Sequence, residues 1–339
     1  MKMLVTGGAG FIGSNFIRFI LTKYPHYAVI NFDKLTYAGN LENLRDVEHH
    51  PNYSFVKGDI LNTELLIHVM KDVDVVAHFA AETHVDRSIL GADAFVQTNV
   101  IGTYSVMEAA RQTKVKRFHH ISTDEVFGSL GPDGYFTEDT PYDPRSPYSA
   151  AKAASDHLVR AYYHTHGLPA TISNCTNNYG PYMFPEKMMP LFITNLLEGK
   201  KVPLYGDGLN VRDWIHVDDH NRAVDLIIHE GKVGETYCIS AREEKTNREV
   251  TDLVLQKMGF GPDMIEYVED RKGHDRRYAI RPYKLMAELG WKPAISFDQG
   301  LSQMIEWYKN NPEWWKRVRS GEYQNYYAKQ YGQKTGITI

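Results

Sequence analysis

The sequence predicts an α/β protein: a doubly wound parallel sheet with a smaller, partly interleaved C-terminal lobe. Three observations predict it. Over the first half of the chain short apolar runs alternate with helical patterns. Several of those runs lack polar alternation, as strands covered on both faces should. A glycine-rich turn joins the first run to the first helix.

Taken in order, the strand candidates are MLVT (3–6), AVINFD (28–33), SFVKGD (54–59), DVVAHFA (74–80), RFHHIST (117–123) and PATISNC (169–175). Helical patterns between them include NVIGTYSVMEAARQT (99–113) and PYSAAKAASDHLVRAYYHTHG (147–167). After Asn177 the texture changes. NNYGPYMFPEKMMP (177–190) is rich in Pro, Gly and Asn and reads as a loop. A helix follows from about His220, then a strand ETYCIS, then a helix that either Thr246 or Asn247 could cap. The aromatic stretch SQMIEWYKNNPEWWKRV (302–318) reads as helical and as core or contact surface. Residues 1–176, joined by about 211–240, are expected to form the first lobe; 177–210 and 241–339 form the second.

With 339 residues there is room for one large domain or two joined ones. Apolar residues make up 42 % and charged residues 24 %, as in globular proteins. A net charge of −4 gives no basic field, so a nucleic-acid polymer is not an expected partner. Two cysteines, Cys175 and Cys238, suit neither a disulfide framework nor a zinc site, and a cytoplasmic location is the simplest reading. Glycines break the apolar start too early for a signal peptide or a membrane span. None of the fifteen histidines falls in H-x-x-x-H with an acid on a clear helix, so no metal is expected.

Gly7, Gly10 and Gly13 follow the first strand and open a helix. Glycines there allow a tight turn and let backbone N–H groups approach a pyrophosphate. Asp33, at the end of the second strand, is placed to accept from a ribose 2′-OH, which favours NAD over NADP. Asp59 and Ile60, after the third strand, lie where an adenine edge could be read; Asp59 could equally be a helix cap. The pattern is that of a Rossmann-type NAD site.

Tyr148 and Lys152 share one helix face at i and i+4. An ammonium beside a phenol lowers its pKa, so Tyr148 could take a proton from a substrate hydroxyl as hydride leaves. Thr123, Asp124 and Glu125 end the fifth strand. Two adjacent acids are either solvated loop charges or a pair whose environments drive their pKa values apart.

Over residues 3 to about 307 this combination resembles the nucleotide-sugar branch of the extended short-chain dehydrogenase/reductase superfamily. The stretches DKLTYAGNLENL, FAAETHVDRSI, STDEVFG, NNYGPYMFPEKMMP, VRDW and DRKGHDRRYAI narrow the resemblance to the dTDP-glucose 4,6-dehydratase family. The resemblance implies that Tyr148 deprotonates the sugar 4-OH while hydride passes to NAD, with Lys152 beside it and Thr123 at the 4-oxygen. Glu125 then removes the C5 proton and protonated Asp124 donates to the departing C6 hydroxyl. Hydride returns to C6, giving a 4-keto-6-deoxy sugar. By the same resemblance Phe11, Ile12, Lys34, Leu35, Thr36, Phe79, Ala80, Ala81, Thr98 and Asn178 join the cofactor site. Thr83 and Thr123 would touch the hexose, and Asn177, Lys187, Arg212 and Arg271 the diphosphate. Met188 would lie close by. Pro203, Tyr205, Asn247 and His274 would enclose the nucleoside. His84 and Asp86 receive no role. Phe127, Lys272 and Arg281 depart from the family pattern, which has Tyr, Pro and an acid there. A homodimer through helices 99–113 and 147–166 is expected, with Ala150, Ala151, Ala153 and Ala154 permitting close approach.

Three rivals remain at this level. A nucleotide-sugar 4-epimerase shares the fold, NAD, Tyr and Lys but does not need the Asp–Glu pair. A dehydratase of a UDP- or GDP-linked sugar would share the chemistry. A non-catalytic dinucleotide-sensing regulator would not need Thr123, Tyr148 and Lys152 together.

Overall fold

The computed structural model describes residues 1–270 and 273–320. Its strands in chain order are β1 (Lys2–Thr6), β2 (Ala28–Asp33), β3 (Tyr53–Lys57), β4 (Val75–His78), β5 (Arg117–Thr123), β6 (Ala170–Cys175), β7 (Asn177–Tyr179), β8 (Val202–Tyr205), β9 (Val211–His216), β10 (Thr236–Ile239), β11 (Glu243–Thr246) and β12 (Ile265–Val268). A seven-stranded sheet in the order β10-β6-β5-β4-β1-β2-β3 is parallel throughout. The strand order reverses between β1 and β4, and such a switch point opens a crevice at the carboxyl ends of the strands.

The helices are α1 (Phe11–Lys23), α2 (Thr63–Val69), α3 (Val85–Leu90), α4 (Asp93–Phe95), α5 (Thr103–Thr113), α6 (Pro147–His166), α7 (Met188–Leu197), α8 (Val217–Glu230), α9 (Asn247–Met258), α10 (Tyr283–Leu289), α11 (Phe297–Asn310) and α12 (Pro312–Val318). One face of the sheet is covered by α1, α8 and α10 through Phe16, Ile20, Val224, Ile227 and Leu285. The other is covered by α2, α5 and α6 through Leu66, Met70, Val106, Met107 and Val159. This double cover is why the strands carry little polar alternation.

The observed strands β2 and β5 match the expected runs residue for residue. Three expectations shift. The segment 177–190 is not all loop: Asn177–Tyr179 is a strand, and α7 begins at Met188. Pro190 sits in the first turn of α7, where its missing N–H costs no helical bond. The helix expected at 99–113 also starts earlier. Val96–Gly102 winds as a π-helix that runs into α5. The helix expected from about His220 begins at Val217, with the His216 side chain accepting from the Asp218 N–H.

The second lobe has its own core, built from Tyr179, Phe192, Trp214, Phe297, Tyr308, Trp314 and Trp315. Strand β9 lies there, between β11 and β7, while α8 and β10 return to the central sheet. Helix α12 reaches back to the first lobe. The Trp314 indole donates to Asn43 Oδ1 (2.8 Å), and Asn43 Nδ2 donates to the carbonyl of Ala9 in the glycine-rich turn (2.9 Å). Arg317 pairs with Glu42 at 2.7 Å.

His220 is fully buried in α8, and burial holds its pKa at about 4. In the unfolded chain it titrates near 6.5. The unfolded state therefore binds more protons between those values. Stability from the neutral ring is complete above pH ~6.5 and is lost as pH falls toward ~4, by about 3 kcal/mol. Replacing His220 by Leu removes that titration. As pH falls through the window, wild type should lose about 3 kcal/mol of urea stability relative to His220→Leu. A gap that does not change with pH rules the linkage out.

Candidate active site

The turn after β1 is shaped by what glycine lacks. Gly7 has φ +69°, and a Cβ there would lie 2.7 Å from the Ala80 backbone. A Cβ on Gly13 would lie 2.4 Å from the Gly7 carbonyl oxygen. Helix α1 starts at Phe11 and Ile12 with Gly10 as its N-cap, no side-chain cap and no acid in its first turn. Such an end presents open N–H groups to an anion. Asp33, at the end of β2, accepts from the Ala9 N–H (3.0 Å) and from the Leu35 N–H (2.7 Å). Burial raises its pKa and those two bonds oppose the rise. Lys34 pairs with Asp59 at 2.6 Å, so the cation beside Asp33 is neutralised. Asp59 also accepts from the Leu61 N–H, while the cap of α2 is Asn62. Ile60 is buried in the α2/α5 core, and Thr36 is exposed. Phe79, which packs on Phe16 with ring centroids 5.0 Å apart, leads into Ala80 and Ala81 beside this turn. Thr98 is half-buried in the π-helical stretch. The tight glycine cradle, the uncapped helix end and the carboxylate fit a dinucleotide.

At the end of β5, Thr123 accepts from the Glu125 N–H (3.2 Å) and donates to Asp124 Oδ1 (3.2 Å). Asp124 to Phe127 make a single 3₁₀ turn, which places the two acids in different surroundings. Asp124 is 2 % exposed, and its Oδ2 takes no hydrogen bond. Burial pushes its pKa well up, helped by the charges of Glu125 and Asp213 and opposed by Arg212. A carboxyl so placed is a proton donor at neutral pH. Glu125 instead opens into a cleft between the lobes.

A capping box of Ser146 and Ser149 starts α6, and Tyr148 follows Pro147 in its first turn. The Tyr148 side chain lies beside Thr123. One turn on, Lys152 Nζ donates to the Ile121 carbonyl (2.7 Å) and lies 3.4 Å from His120 Nε2. Burial lowers the Lys152 pKa to about 8. Against expectation, the Tyr148 phenol is not depressed overall. Burial, then the Glu125 charge, push the Tyr148 phenol well up, and the ammonium is engaged by Ile121 and His120.

The cleft collects the residues expected around the sugar nucleotide. Thr83, Asn177, Lys187 and Met188 line one part, with Lys187 Nζ donating to the Thr83 carbonyl at 2.9 Å. Pro203, Tyr205 and Arg212 line another. Arg212 donates to the carbonyls of Val211 (2.7 Å) and Asp275 (3.0 Å) and lies over the Tyr278 ring. Asn247 and His274 complete it. Thr246, not Asn247, caps α9, so the Asn247 side chain is not the cap. His274 Nδ1 is 2.6 Å from Asp270 Oδ1. Asn178 is buried beside the cleft and donates to the Thr176 carbonyl (3.2 Å). Arg271 and Lys272 lie outside the described residues.

A family model described as GDP-mannose 4,6 dehydratase matches residues 4–304. The dTDP-glucose 4,6-dehydratase of Escherichia coli is 50 % identical over 358 residues, covering 98 % of this chain and 99 % of that protein. The chain belongs to the dTDP-glucose 4,6-dehydratase family. The crystal structure of the Streptomyces venezuelae dTDP-glucose 4,6-dehydratase, solved with NAD bound, is 49 % identical with a TM-score of 0.92. It covers 94 % of this chain and all of that one (100 %). The Thermotoga maritima UDP-glucose 4-epimerase, solved with UDP-glucose, is 29 % identical with a TM-score of 0.86, covering 92 % of this chain and 100 % of its own.

In this member of the dTDP-glucose 4,6-dehydratase family the cleft also takes residues that sequence reasoning left without a role. His84 and Asp86 line it, and Asp86 Oδ2 accepts from the Tyr205 hydroxyl (3.4 Å). Glu186, paired with Arg87 at 2.8 Å, lines it too. Nothing in their local spacing marks them; only the fold brings α3 against β8 and the segment before α7. Phe127 is buried against Phe136 and Tyr142, in an apolar cluster that includes Cys238. Arg281 stacks on Tyr135 at 3.3 Å.

Proposed function

We propose that the chain converts dTDP-glucose to dTDP-4-keto-6-deoxyglucose and water, a hydro-lyase reaction with NAD as resident cofactor. The observation that carries it is the pair Asp124 and Glu125 on one turn beside Thr123 and Tyr148, one carboxyl buried with its pKa raised and the other facing the cleft. An elimination needs both an acid and a base; a 4-epimerase does not.

NAD, when bound, accepts a hydride at the start and returns it at the end, so the reaction is redox-neutral. The Gly7–Gly13 turn and α1 would hold its pyrophosphate and Asp33 its ribose; the S. venezuelae relative was solved with NAD bound. Tyr148 takes the proton of the sugar 4-OH, and Thr123 holds the 4-oxygen. Glu125 removes the C5 proton, which the 4-ketone acidifies. Asp124 gives its proton to the leaving C6 hydroxyl, completing water, and C5 regains a proton when the hydride returns to C6. Lys187, Arg212 and Arg271 meet the diphosphate, and Tyr205, Asn247 and His274 the nucleoside. Residues 1–176 with about 217–240 form the cofactor lobe; β9, expected there, packs in the second lobe, and the sugar-nucleotide cleft draws residues from both.

A homodimer in the cytoplasm completes the reading. Val96, Ile101 and Tyr104 are 43–44 % exposed along one helical run, and Ala150 is exposed on neighbouring α6. An apolar face of this kind suits a second copy. Among the described residues no helix is long and apolar enough to cross a membrane.

The test is purified protein with dTDP-glucose and no added reductant. The expected product has lost one water, with no net cofactor reduction. A galactose isomer of unchanged mass would overturn the reading in favour of an epimerase. Turnover only with UDP- or GDP-linked glucose would move the substrate, not the chemistry. Sedimentation at twice the chain mass is expected for the dimer.

A further inference from the structure

A buried ammonium needs a counter-charge. Lys152 is 4 % exposed. Around it stand Tyr148 and Asp156 one turn to either side on α6, His120 on β5 and Cys175 on β6, with His78 on β4 stacked behind His120 at 5.4 Å. Burial keeps both histidines neutral and pushes the Cys175 thiol up to about 12. Asp156 is the remaining group that can carry the opposite charge.

Asp156 has no exposed surface, yet its oxygens are unequally served. Oδ2 accepts from Ser122 (2.9 Å), Tyr142 (2.8 Å) and Asn174 (3.1 Å), donors delivered by β5, the loop before α6, and β6. Arg160, one turn further along α6, donates to the Tyr142 hydroxyl (2.9 Å). Three donors on one oxygen hold a carboxylate ionised despite its burial. Oδ1 faces His120 Nε2 at 3.2 Å and takes no hydrogen bond elsewhere. The same Nε2 is 3.4 Å from Lys152 Nζ, so the imidazole stands between ammonium and carboxylate.

We propose that Asp156 is a positioning residue for the dehydration: acting across His120, it is the counter-charge that keeps Lys152 an ammonium and so sets the pH range in which Tyr148 can accept the substrate proton. The inference rests on the dehydratase reading above and deepens it. Asp156 does not line the cleft, so its removal leaves substrate binding alone. What it changes is the protonation of Lys152. Burial opposes the charge on that amine, and Asp156 is the main charge restoring it.

The test follows kcat and KM against pH, with dTDP-glucose, for wild type, Asp156→Asn, Asp156→Glu and His120→Phe. In Asp156→Asn the alkaline limb of kcat should move down by about one pH unit or more, with KM for the sugar nucleotide little changed. Asp156→Glu keeps the charge and should keep the limb. His120→Phe should move it in the same direction as Asp156→Asn, and it carries the test should that variant not fold. An inactive wild type would sink the dehydratase reading itself. An active wild type whose limb stays put in Asp156→Asn and His120→Phe, or shifts equally in Asp156→Glu, overturns the counter-charge.

Discussion

Replacing Tyr148 by Phe is expected to cut turnover of dTDP-glucose by about 10²- to 10⁴-fold, the usual contribution of one positioned proton acceptor. The side chain is buried and its ring packs against Phe95 and Ala151, so the ring keeps its place when the hydroxyl goes. Binding of the sugar nucleotide should persist, because the diphosphate and nucleoside groups lie elsewhere in the cleft. Loss in kcat with KM nearly constant is the signature of an interaction made only in the transition state. Stopped-flow reading of cofactor reduction would place the defect at the first step. Activity within tenfold of wild type would show that another group takes the 4-OH proton.

The second large effect separates the two acids. In Glu125→Gln, the first oxidation should proceed but the C5 proton should not exchange with deuterated water. In Asp124→Asn, C5 exchange should continue while release of water falls by about 10²- to 10⁴-fold. Both variants should accumulate reduced cofactor, because the elimination that consumes the ketone is blocked. Asp124 also fixes a pH direction. Its raised pKa makes it an acid at neutral pH, and elimination should weaken as pH rises through that value. If the two variants lose exchange and elimination together, the division of labour on the 3₁₀ turn is wrong.

Some of this was legible in the sequence and some was not, for physical reasons. The glycine turn, Asp33 and the Tyr148–Lys152 pair are local patterns whose spacing sets their geometry, so the chain displays them directly. β2 and β5 carry polar residues, and they were legible through their β-branched and aromatic content and their place between helical patterns. Helix α7 was hidden because Pro190 looks like a breaker anywhere except a first turn. The nucleoside wall was not readable from spacing. Tyr205, Asn247 and His274 sit on separate elements and meet only after the second lobe has folded. Asp156 could have been found, since it continues the face that carries Tyr148 and Lys152 at i+4. His120 could not, because its contact with Lys152 crosses from β5 to α6.

The link from Trp314 through Asn43 to Ala9 has a kinetic consequence. It ties the far end of the second lobe to the backbone that would wrap the dinucleotide, and the Arg317–Glu42 pair reinforces the same junction. Escape of the dinucleotide is thereby coupled to parting of the lobes. A catalyst whose hydride is always returned has no need to trade one dinucleotide for another. Slow exchange of the coenzyme is therefore the expected mark of the Trp314–Asn43 link on the kinetics.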